Sequence, residues 1–492
     1  MGWMSPFALQ LLAALVAGGF TTLTASPFGL WWLGPVAVGL LFAGLNQLTP
    51  RQAALKGWAY GVALFATGAS WVYVSIHDYG YTGVPLAVFL TALFVVALAL
   101  FYALPFWLFR RFLGHRLTFL SFAGLWVLGE VLRTYLFTGF PWLLLGSGFV
   151  DSPLARFAPL GGVYLLSLLV ALSGTLGVCV LRRRFWAALP LAAIWLVPLA
   201  LPNQWTTPAA DPTRVALLQG NLSQLIKWTP EGQRAAANIY SELTRQVPDD
   251  VDLIIWPETA VPMFEYQARP VLERIQTTLS PETALLTGIV QLDEQNRYFN
   301  SVIGVGDVSG SYQKEHLVPF GEYLPLESVL RGAIDFFDLP MSSFTKGDTV
   351  QAPMQASGLR IGNAICYEII YPQLVASRAV ESDVIVTVSN DTWFGASIGP
   401  HQHLQMARLR ALENGRYVLR ATSNGITAII DAQGRVLERA PQFEAATLLG
   451  EFHAMQGQTP FTRLGSWPAW LLAALFSVAG VIRKRSSGKT LL

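Results

Sequence analysis

Long apolar segments constrain the fold of this chain more than any other feature of its sequence. A helix needs about 20 apolar residues to cross the hydrocarbon core of a bilayer. Seven segments of that kind lie before residue 205, and one more follows a long polar stretch. The sequence therefore predicts a membrane bundle of eight transmembrane α-helices. In chain order the segments are Pro6–Thr24, Leu30–Leu48, Gly57–Ile76, Val84–Phe109, Leu117–Phe137, Pro159–Leu181, Phe185–Leu201 and Trp467–Ile482. No Lys or Arg precedes the first segment and a second follows at once, so we expect it to be retained rather than cleaved as a signal peptide.

The overall composition fits a chain that lies partly in lipid. Hydrophobic residues make up 53% and charged residues only 13% of it, against about 25% charged residues in soluble domains. The net charge of +2 gives no reason to expect nucleic acid as a partner. No Cys/His cluster has zinc-ligand spacing and no glycine-rich phosphate loop is present, so we predict neither a metal nor a cofactor. Cys179 and Cys366 lie in regions of very different character, which argues against a disulfide.

Positive charge falls on alternate connections between the apolar segments. Lys and Arg mark the cytoplasmic loops of membrane proteins. Counting connections from the first segment, both termini are expected on the cytoplasmic side and the polar region on the opposite face. The basic residues concerned are Arg51, Lys56, Arg110, Arg111, Arg116, Arg182, Arg183, Arg184, Arg483, Lys484, Arg485 and Lys489.

The polar region alternates short apolar strands with amphipathic helices. This pattern predicts an α/β layered domain, in which chemistry collects where the strands end. We place the domain at residues 206–455, after a helical region of residues 1–205 and before an eighth helix and basic tail at residues 456–492. The expected strands are Arg214–Asn221, Asp252–Glu258, Thr283–Gln291, Arg360–Glu368 and Asp383–Asp391, and the expected helices are Gly232–Gln246, Arg269–Leu279 and His401–Asn414.

Three side chains of this domain are candidates for catalysis. Glu258 closes an apolar strand, where a partly desolvated carboxylate suits a general base, although a solvated loop glutamate has the same pattern. Lys314 taken alone is better explained as a surface lysine, and Glu322 either anchors it or faces water. Cys366 ends a strand; a buried cysteine can be a small packing residue, but a nucleophilic one needs a base and a cation nearby.

The three segments together resemble a known family. A strand ending in "WPE", a lysine shortly before "HLVPFGEYLP", and a strand ending in "CYE" are similar to the Glu-Lys-Cys constellation of the nitrilase (carbon–nitrogen hydrolase) superfamily. With the apolar segments and the stretch Ser389–Gly425, nearly the whole chain resembles the membrane-bound branch of that superfamily, the apolipoprotein N-acyltransferases. The resemblance implies an αββα sandwich with Cys366 as nucleophile, Glu258 as general base, Lys314 as electrostatic stabiliser and Glu322 as a supporting carboxylate.

The resemblance also implies a reaction. An acyl chain of a phospholipid, with phosphatidylethanolamine as the expected donor, would pass through a Cys366 thioester to the α-amine of the diacylglyceryl-modified N-terminal cysteine of apolipoproteins. The enzyme would lie in the bacterial inner membrane with its catalytic domain in the periplasm. The alternatives are a membrane-tethered amidase or nitrilase with the same triad, and a transporter or scaffold with an inactive domain.

For several further residues the sequence leaves more than one role open. Trp228 and Trp393 either line a lipid entrance or anchor the protein at the interface, and Tyr367 and Glu368 are expected to shape the pocket. Charged residues within the membrane are functional candidates, but pairing with each other explains Glu130 and Arg133 equally well. The arginines near the helix His401–Asn414 are expected to form structural ion pairs, with a donor phosphate as the alternative; they are Arg408, Arg410 and Arg416.

Overall fold

The computed structural model describes residues 5–113, 117–325, 327, 332 and 343–486, and side chains up to residue 480 in the last of these ranges. Arg116, Lys489 and the side chains of Arg483, Lys484 and Arg485, which contribute to the predicted orientation, lie outside this part of the chain. The fold divides into two compact units. A helical unit comprises Met1–Tyr73, Val84–Asn203 and Leu464–Leu492, and a sheet unit comprises Val74–Gly83 and Gln204–Arg463.

The apolar segments form helices of unequal length. Four helices of the described chain are long and apolar enough to cross a membrane, or five if the pair Pro50–Gly68 and Trp71–His77, bent by 60°, counts as one span. The four are Pro6–Thr24, Val84–Phe112, Thr118–Thr138 and Pro153–Leu181, and the shorter apolar helices are Leu33–Gln47, Phe185–Ala200 and Trp467–Gly480. The prediction of eight spans is thus confirmed in part, since an apolar run includes residues that do not continue the helix. Gly44, for example, follows the helix that ends at Phe42 and has a φ of 73°.

In chain order the α-helices of the first 205 residues are α1 (Pro6–Thr24), α2 (Leu33–Phe42), α3 (Pro50–Gly68), α4 (Trp71–His77), α5 (Val84–Phe112), α6 (Thr118–Tyr135), α7 (Ala158–Leu181) and α8 (Ala188–Leu196), and Trp467–Ser486 follows the sheet unit. Small residues let α3 and α5 approach closely. A Cβ added to Gly61 would lie 2.7 Å from the Cα of Ala99.

Lys56 joins the first three helices. Its ammonium on α3 donates to Gln10 Oε1 of α1 at 2.6 Å and to the carbonyl of Leu41 on α2 at 2.7 Å. It also donates to the carbonyls of Leu40 and Ala43, each at 3.1 Å. The last carbonyls of a helix have no hydrogen-bond partner within the helix. Lys56 therefore supplies the missing donor to the carbonyls at the C-terminal end of α2.

Glu130 and Arg133 both fasten the segment that follows α6. Arg133 Nη1 donates to the carbonyls of Phe140 at 2.7 Å and Trp142 at 2.5 Å. Glu130 Oε1 accepts from the backbone N–H of Leu145 at 2.7 Å. Each charge therefore has backbone partners, which is a structural role other than the mutual pairing considered from the sequence.

The sheet unit contains two large sheets and one small one. The strands are β1 (Thr207–Pro208), β2 (Thr213–Gln219), β3 (Leu253–Ile255), β4 (Ala284–Leu292), β5 (Tyr298–Gly306), β6 (Val308–Ser309), β7 (Tyr312–Gln313), β8 (Met354–Ala356), β9 (Leu359–Ile365), β10 (Val384–Ser389), β11 (Val418–Thr422), β12 (Ala428–Ile430), β13 (Val436–Arg439), β14 (Ala446–Phe452) and β15 (Met455–Gln456). The strand orders of the three sheets are β14-β2-β3-β4-β5-β7, β13-β12-β11-β10-β9-β8-β6 and β1-β15. The helices are α9 (Pro230–Arg245), α10 (Glu265–Gln276), α11 (Pro372–Ala379), α12 (Gly399–Asn414) and α13 (Pro460–Leu464).

Alternate residues of each central strand serve different layers, because successive side chains of a strand point to opposite faces. Val215 and Leu217 of β2 join a core that also contains Ile361 and Val386 of the other large sheet. Ala216 and Leu218 join a second core with side chains of α9 and α10. Helices α11 and α12 contact the seven-stranded sheet. The predicted α/β domain with strands buried on both faces is confirmed, in the order helix, sheet, sheet, helix.

Candidate active site

Polar residues that follow the ends of parallel strands build the candidate site. Strands β2, β3 and β4 run parallel in one sheet, and β9, β10 and β11 run parallel in the other. Glu258 follows β3, Cys366 follows β9 and Asn390 follows β10. The carboxyl ends of parallel strands lie at one edge of a sheet, which brings together residues far apart in the sequence.

The chain turns sharply at Cys366. This residue has a φ of 52° and begins the helical turn Cys366–Ile370 directly after β9. A side chain other than glycine in this region costs about 1–2 kcal/mol, and such residues cluster at active sites. Thr259, next to Glu258, has a φ of 47°. Cys366 thus lies at a strained bend, and Glu258 directly precedes one.

Glu258 and Lys314 belong to one buried network of hydrogen bonds. Lys314 Nζ lies 2.8 Å from Glu322 Oε1 and 3.4 Å from Glu258 Oε1. Asn300 Nδ2 donates to the same two carboxylate oxygens, at 2.7 Å to Glu258 and 2.8 Å to Glu322. The backbone N–H of Asn390 donates to Glu258 Oε2 at 2.7 Å. The interpretations of Lys314 as a surface lysine and of Glu258 as a solvated glutamate are wrong, since these side chains are 1% and 8% exposed.

The two carboxylates keep Lys314 charged. Burial alone would lower the pKa of Lys314, but Glu322 and Glu258 raise it above its ordinary value. Glu322 Oε2 also accepts from the backbone N–H of Val318 at 2.8 Å. Glu322 therefore anchors the lysine, as one of the two interpretations of the sequence predicted.

The charges of Glu258 and Lys314 both act on the thiol of Cys366. Burial raises the pKa of its thiol well above the ordinary value, the negative charge of Glu258 raises it further, and the charge of Lys314 lowers it. The resting group is consequently a thiol rather than a thiolate. Such a cysteine needs a base that removes its proton during attack, and Glu258 is the charged neighbour able to do so.

Glu368 is completely buried and ties the cysteine turn to the lysine segment. Its carboxylate accepts from the backbone N–H groups of Ile365 at 2.7 Å, Glu315 at 2.7 Å and His316 at 3.0 Å. Tyr312 Oη donates to it at 2.9 Å. Burial raises the pKa of Glu368 to about 7 against these hydrogen bonds. These hydrogen bonds fix the position of the Cys366 turn relative to the Lys314 segment.

A second buried network of hydrogen bonds contacts the backbone of Cys366, and the sequence did not predict it. Arg420 Nη2 donates to Asp391 Oδ2 at 2.5 Å, and Asp391 Oδ1 accepts from Ser389 Oγ at 2.6 Å. His403 bridges this group to Cys366, with Nδ1 3.0 Å from Asp391 Oδ1 and Nε2 3.1 Å from the carbonyl oxygen of Cys366. The sequence did contain an indication of this network, because a charged residue within an apolar strand needs a buried partner. Arg420 in β11 is the clearest example.

Asn300 was also missed. Its side chain is buried in the mostly apolar β5 and links Glu258 to Glu322. Buried amides need hydrogen-bond partners, so an asparagine within "YFNSVIGVG" was a usable signal.

The aromatic candidates have distinct surroundings. Tyr367 is buried 5.3 Å from the ring of Tyr371. Trp393 is half-buried; its carbonyl accepts from Ser75 Oγ at 2.8 Å and its ring lies 6.0 Å from that of Tyr79. The segment Val74–Gly83 thus packs against the Trp393 turn, which the sequence did not indicate.

The arginines near α12 have protein partners. Arg410 pairs with Glu413 at 2.6 Å, the predicted i, i+3 spacing. Arg408 donates to the carbonyl of Gly434 and Arg416 to that of Ser382, each at 2.7 Å. The structural interpretation is confirmed for Arg410, and these contacts give no support to a phosphate site.

Trp228 lies in the segment between β2 and α9 and is half-buried, with an indole N–H that has no hydrogen-bond partner among the described residues. The preceding residue, Lys227, is 4% exposed. The charge of Glu258 acts on Lys227, so this segment lies near the candidate catalytic residues.

Each of the two units matches a known protein family. Residues 17–176 match the apolipoprotein N-acyltransferase N-terminal domain, and residues 214–460 match the carbon-nitrogen hydrolase family. An apolipoprotein N-acyltransferase of Azotobacter vinelandii is 47% identical, over 96% of this chain and 95% of its own length. Those of Pseudomonas syringae pv. tomato and Vibrio vulnificus are 45% and 40% identical, over 94% and 96% of this chain and 95% and 97% of theirs.

Among solved structures, a carbon-nitrogen hydrolase from Helicobacter pylori covers 56% of this chain and 96% of its own, at 14% identity and a TM-score of 0.36. This structural likeness is too weak to assign a function. The two matching families and the 47% identity to a relative over nearly the whole length show that the chain belongs to the apolipoprotein N-acyltransferase family.

Proposed function

We propose that this chain, an acyltransferase that acts in lipoprotein N-acylation as its family does, carries the acyl group on Cys366. The acyl chain comes from a phospholipid, with phosphatidylethanolamine as the proposed donor. It passes as a thioester to the α-amine of the diacylglyceryl-modified N-terminal cysteine of apolipoproteins. The observation that carries this proposal is the position of Cys366 at a strained strand end, where the charges of Glu258 and Lys314 act on its thiol.

In the first half-reaction Glu258 takes the thiol proton while Cys366 Sγ attacks the ester carbonyl. The carbonyl oxygen becomes an oxyanion, which the ammonium of Lys314 stabilises. Preorganised positive charge at that point acts without reorganisation during the reaction. As the tetrahedral intermediate collapses, the glycerol oxygen leaves with the proton held by Glu258. A lysophospholipid departs and the thioester remains.

In the second half-reaction the free amine attacks the thioester carbonyl and gives its proton to Glu258. Collapse of the second intermediate breaks the C–S bond, and the thiolate of Cys366 regains a proton from Glu258. The product is an amide, so the exchange of a thioester for an amide proceeds without a further energy source. Both steps use the same base, cation and nucleophile.

The apolar helices associate the protein with a membrane. We further propose that all eight apolar segments cross the bacterial inner membrane, in the regions 1–205, 206–455 and 456–492 expected from the sequence. The basic connections support cytoplasmic termini and a periplasmic catalytic domain. Both substrates keep acyl chains in lipid, and each CH₂ exposed to water costs about 0.8 kcal/mol, which favours an enzyme held at the membrane.

The test is intact-mass spectrometry of the full-length protein after incubation with phosphatidylethanolamine alone. We expect one added acyl group that maps to Cys366 and is absent in Cys366→Ala. Cys179→Ala is the matched control, because that cysteine is buried in α7 of the other unit and its replacement should leave acylation unchanged.

A diacylglyceryl peptide with a free α-amine is then added to the acylated protein. We expect it to discharge the thioester far faster than water does. Discharge by water at the same rate would favour a membrane-tethered hydrolase, and an unmodified Cys366 in the first experiment would contradict the thioester itself.

A further inference from the structure

Lys227 is a buried cation that the mechanism above does not use. Lys227 is 4% exposed, and its ammonium has no hydrogen bond or ion pair with any residue that the structure describes. Moving an ammonium out of water without replacement acceptors costs several kcal/mol. A site that keeps such a group has room for an acceptor brought by a ligand.

Lys227 lies near the proposed reaction centre. The negative charge of Glu258 acts on its ammonium. Its segment is tied to the same centre, because Gln224 Oε1 accepts from Asn390 Nδ2 at 2.9 Å, and the backbone N–H of Asn390 donates to Glu258. The anion that Lys227 meets therefore lies beside the acyl ester, not at a remote surface.

The neighbouring residue adds a second unused donor. The indole N–H of Trp228 is buried and has no hydrogen-bond partner among the described residues. Two donors on consecutive residues, neither with a side-chain partner among the described residues, suit a group with several acceptor oxygens. A phosphodiester is such a group, and Lys binds it as a point charge.

The same segment carries apolar side chains in the open. Leu225 and Ile226 are 51% and 49% exposed, directly before the buried Lys227. A buried cation next to exposed aliphatic residues suits an amphiphile whose anionic group adjoins apolar chains, and does not suit a free phosphate ion.

We propose that Lys227 binds the phosphodiester of the phospholipid donor and so selects the first substrate of the reaction. In a glycerophospholipid the phosphate is attached to the same glycerol as the scissile ester. The acceptor holds its glycerol through a thioether and has no phosphate. Lys227 therefore acts in acylation of Cys366 and not in its discharge, while Lys314, fixed by two carboxylates, serves the oxyanion in both.

This inference rests on the proposed function, and the experiment separates the two. The rate at which Cys366 gains an acyl group is measured by intact mass at a series of donor concentrations in detergent micelles. The donors are phosphatidylethanolamine and the p-nitrophenyl ester of the same fatty acid, which is neutral and has no phosphate. The proteins are the wild type, Lys227→Met, Lys227→Arg and Arg274→Met; Arg274 is an exposed cation on α10.

We expect Lys227→Met to lower the second-order rate of acylation by phosphatidylethanolamine about ten- to hundredfold, the size of a lost hydrogen bond to a charged group. Acylation by the nitrophenyl ester should change less than about twofold, because that donor lacks the phosphate. Lys227→Arg should keep most of the phospholipid rate, and Arg274→Met all of it. Discharge of preformed thioester by the amine peptide should be the same in every variant, which also shows that each is folded.

An equal loss with both donors in Lys227→Met would assign the lysine to the ester chemistry and overturn the inference. So would an unchanged rate with phosphatidylethanolamine, or an equal loss in Arg274→Met. A wild type that gains no acyl group from phosphatidylethanolamine contradicts the proposed function instead.

The source of the phosphate is tested by competition against the nitrophenyl ester. A dialkyl ether analogue of phosphatidylethanolamine, which has no ester to transfer, should slow the wild type and not Lys227→Met. Inhibition by inorganic phosphate as strong as by the ether lipid would assign the site to a free ion and overturn the proposal for a lipid.

Discussion

Two buried lysines, one in each unit, differ in what surrounds their charge. Lys56 is 0% exposed and donates to three backbone carbonyls and the side chain of Gln10. Lys227 is 4% exposed and has no acceptor among the residues that the structure describes. Burial of an ammonium is tolerated when acceptors replace water. The helical unit supplies these acceptors itself, while in the proposed mechanism the substrate supplies them at Lys227.

Lys314 lies between these extremes. It has two carboxylate partners, so it is fixed in the free enzyme and ready for an oxyanion. Position alone does not distinguish the three lysines, since all are buried. Their acceptors do: Lys56 has backbone carbonyls and a structural role, Lys314 has carboxylates and the proposed catalytic role, and Lys227, with the proposed binding role, has no acceptor among the described residues.

The largest effect is expected for Lys314→Met. The change leaves Glu258 and Glu322 buried without their cation, which lowers the free energy of unfolding by about 3–5 kcal/mol. It also removes the oxyanion's cation, which lowers the acylation rate about 10²–10³-fold. Thermal unfolding in detergent and intact-mass kinetics measure the two effects. A variant as stable and active as the wild type would show that the three lysines are not distinguished by their acceptors.

Lys56→Met should affect stability alone. It leaves carbonyls of α2 without a donor, at a cost of about 1–3 kcal/mol, while the acylation rate per folded molecule stays at the wild-type value. Thermal unfolding and acylation of the same preparation measure both quantities.

Lys227→Met is the matched opposite of that variant, because it removes a buried charge that has no partner. Its unfolding temperature should equal or exceed that of the wild type. If Lys227→Met proved as unstable as Lys56→Met, the contrast between the two lysines would fail.

The smallest effect is expected from pH. Burial lowers the pKa of Lys227 from 10.5 to about 8, against the opposing charge of Glu258. Because its ammonium loses a proton as the pH rises through that value, kcat/KM for phosphatidylethanolamine should fall a few-fold between about pH 7 and 9, relative to Lys227→Arg, since arginine stays charged. Equal pH profiles of the two proteins would contradict the role of the lysine charge.

The sequence alone determined much of this protein. Runs of apolar residues predicted the helical region, and the continuous apolar strands with polar ends predicted the α/β domain and the positions of Glu258 and Cys366. These features follow from hydrophobicity and period, which are local properties of a chain. Assignment of Lys314 needed the motif around it, because a single lysine between charged and aromatic residues has no local pattern of burial.

Only the tertiary structure decided how the site is held together. Asn300, Asp391 and His403 lie on three different elements, and their roles depend on hydrogen bonds across 42, 12 and 37 residues of sequence. The same holds for the contrast between Lys56 and Lys227. Both are single lysines in the sequence, and whether a buried ammonium has acceptors depends on which backbone carbonyls and carboxylates the folded chain places within hydrogen-bond distance of it.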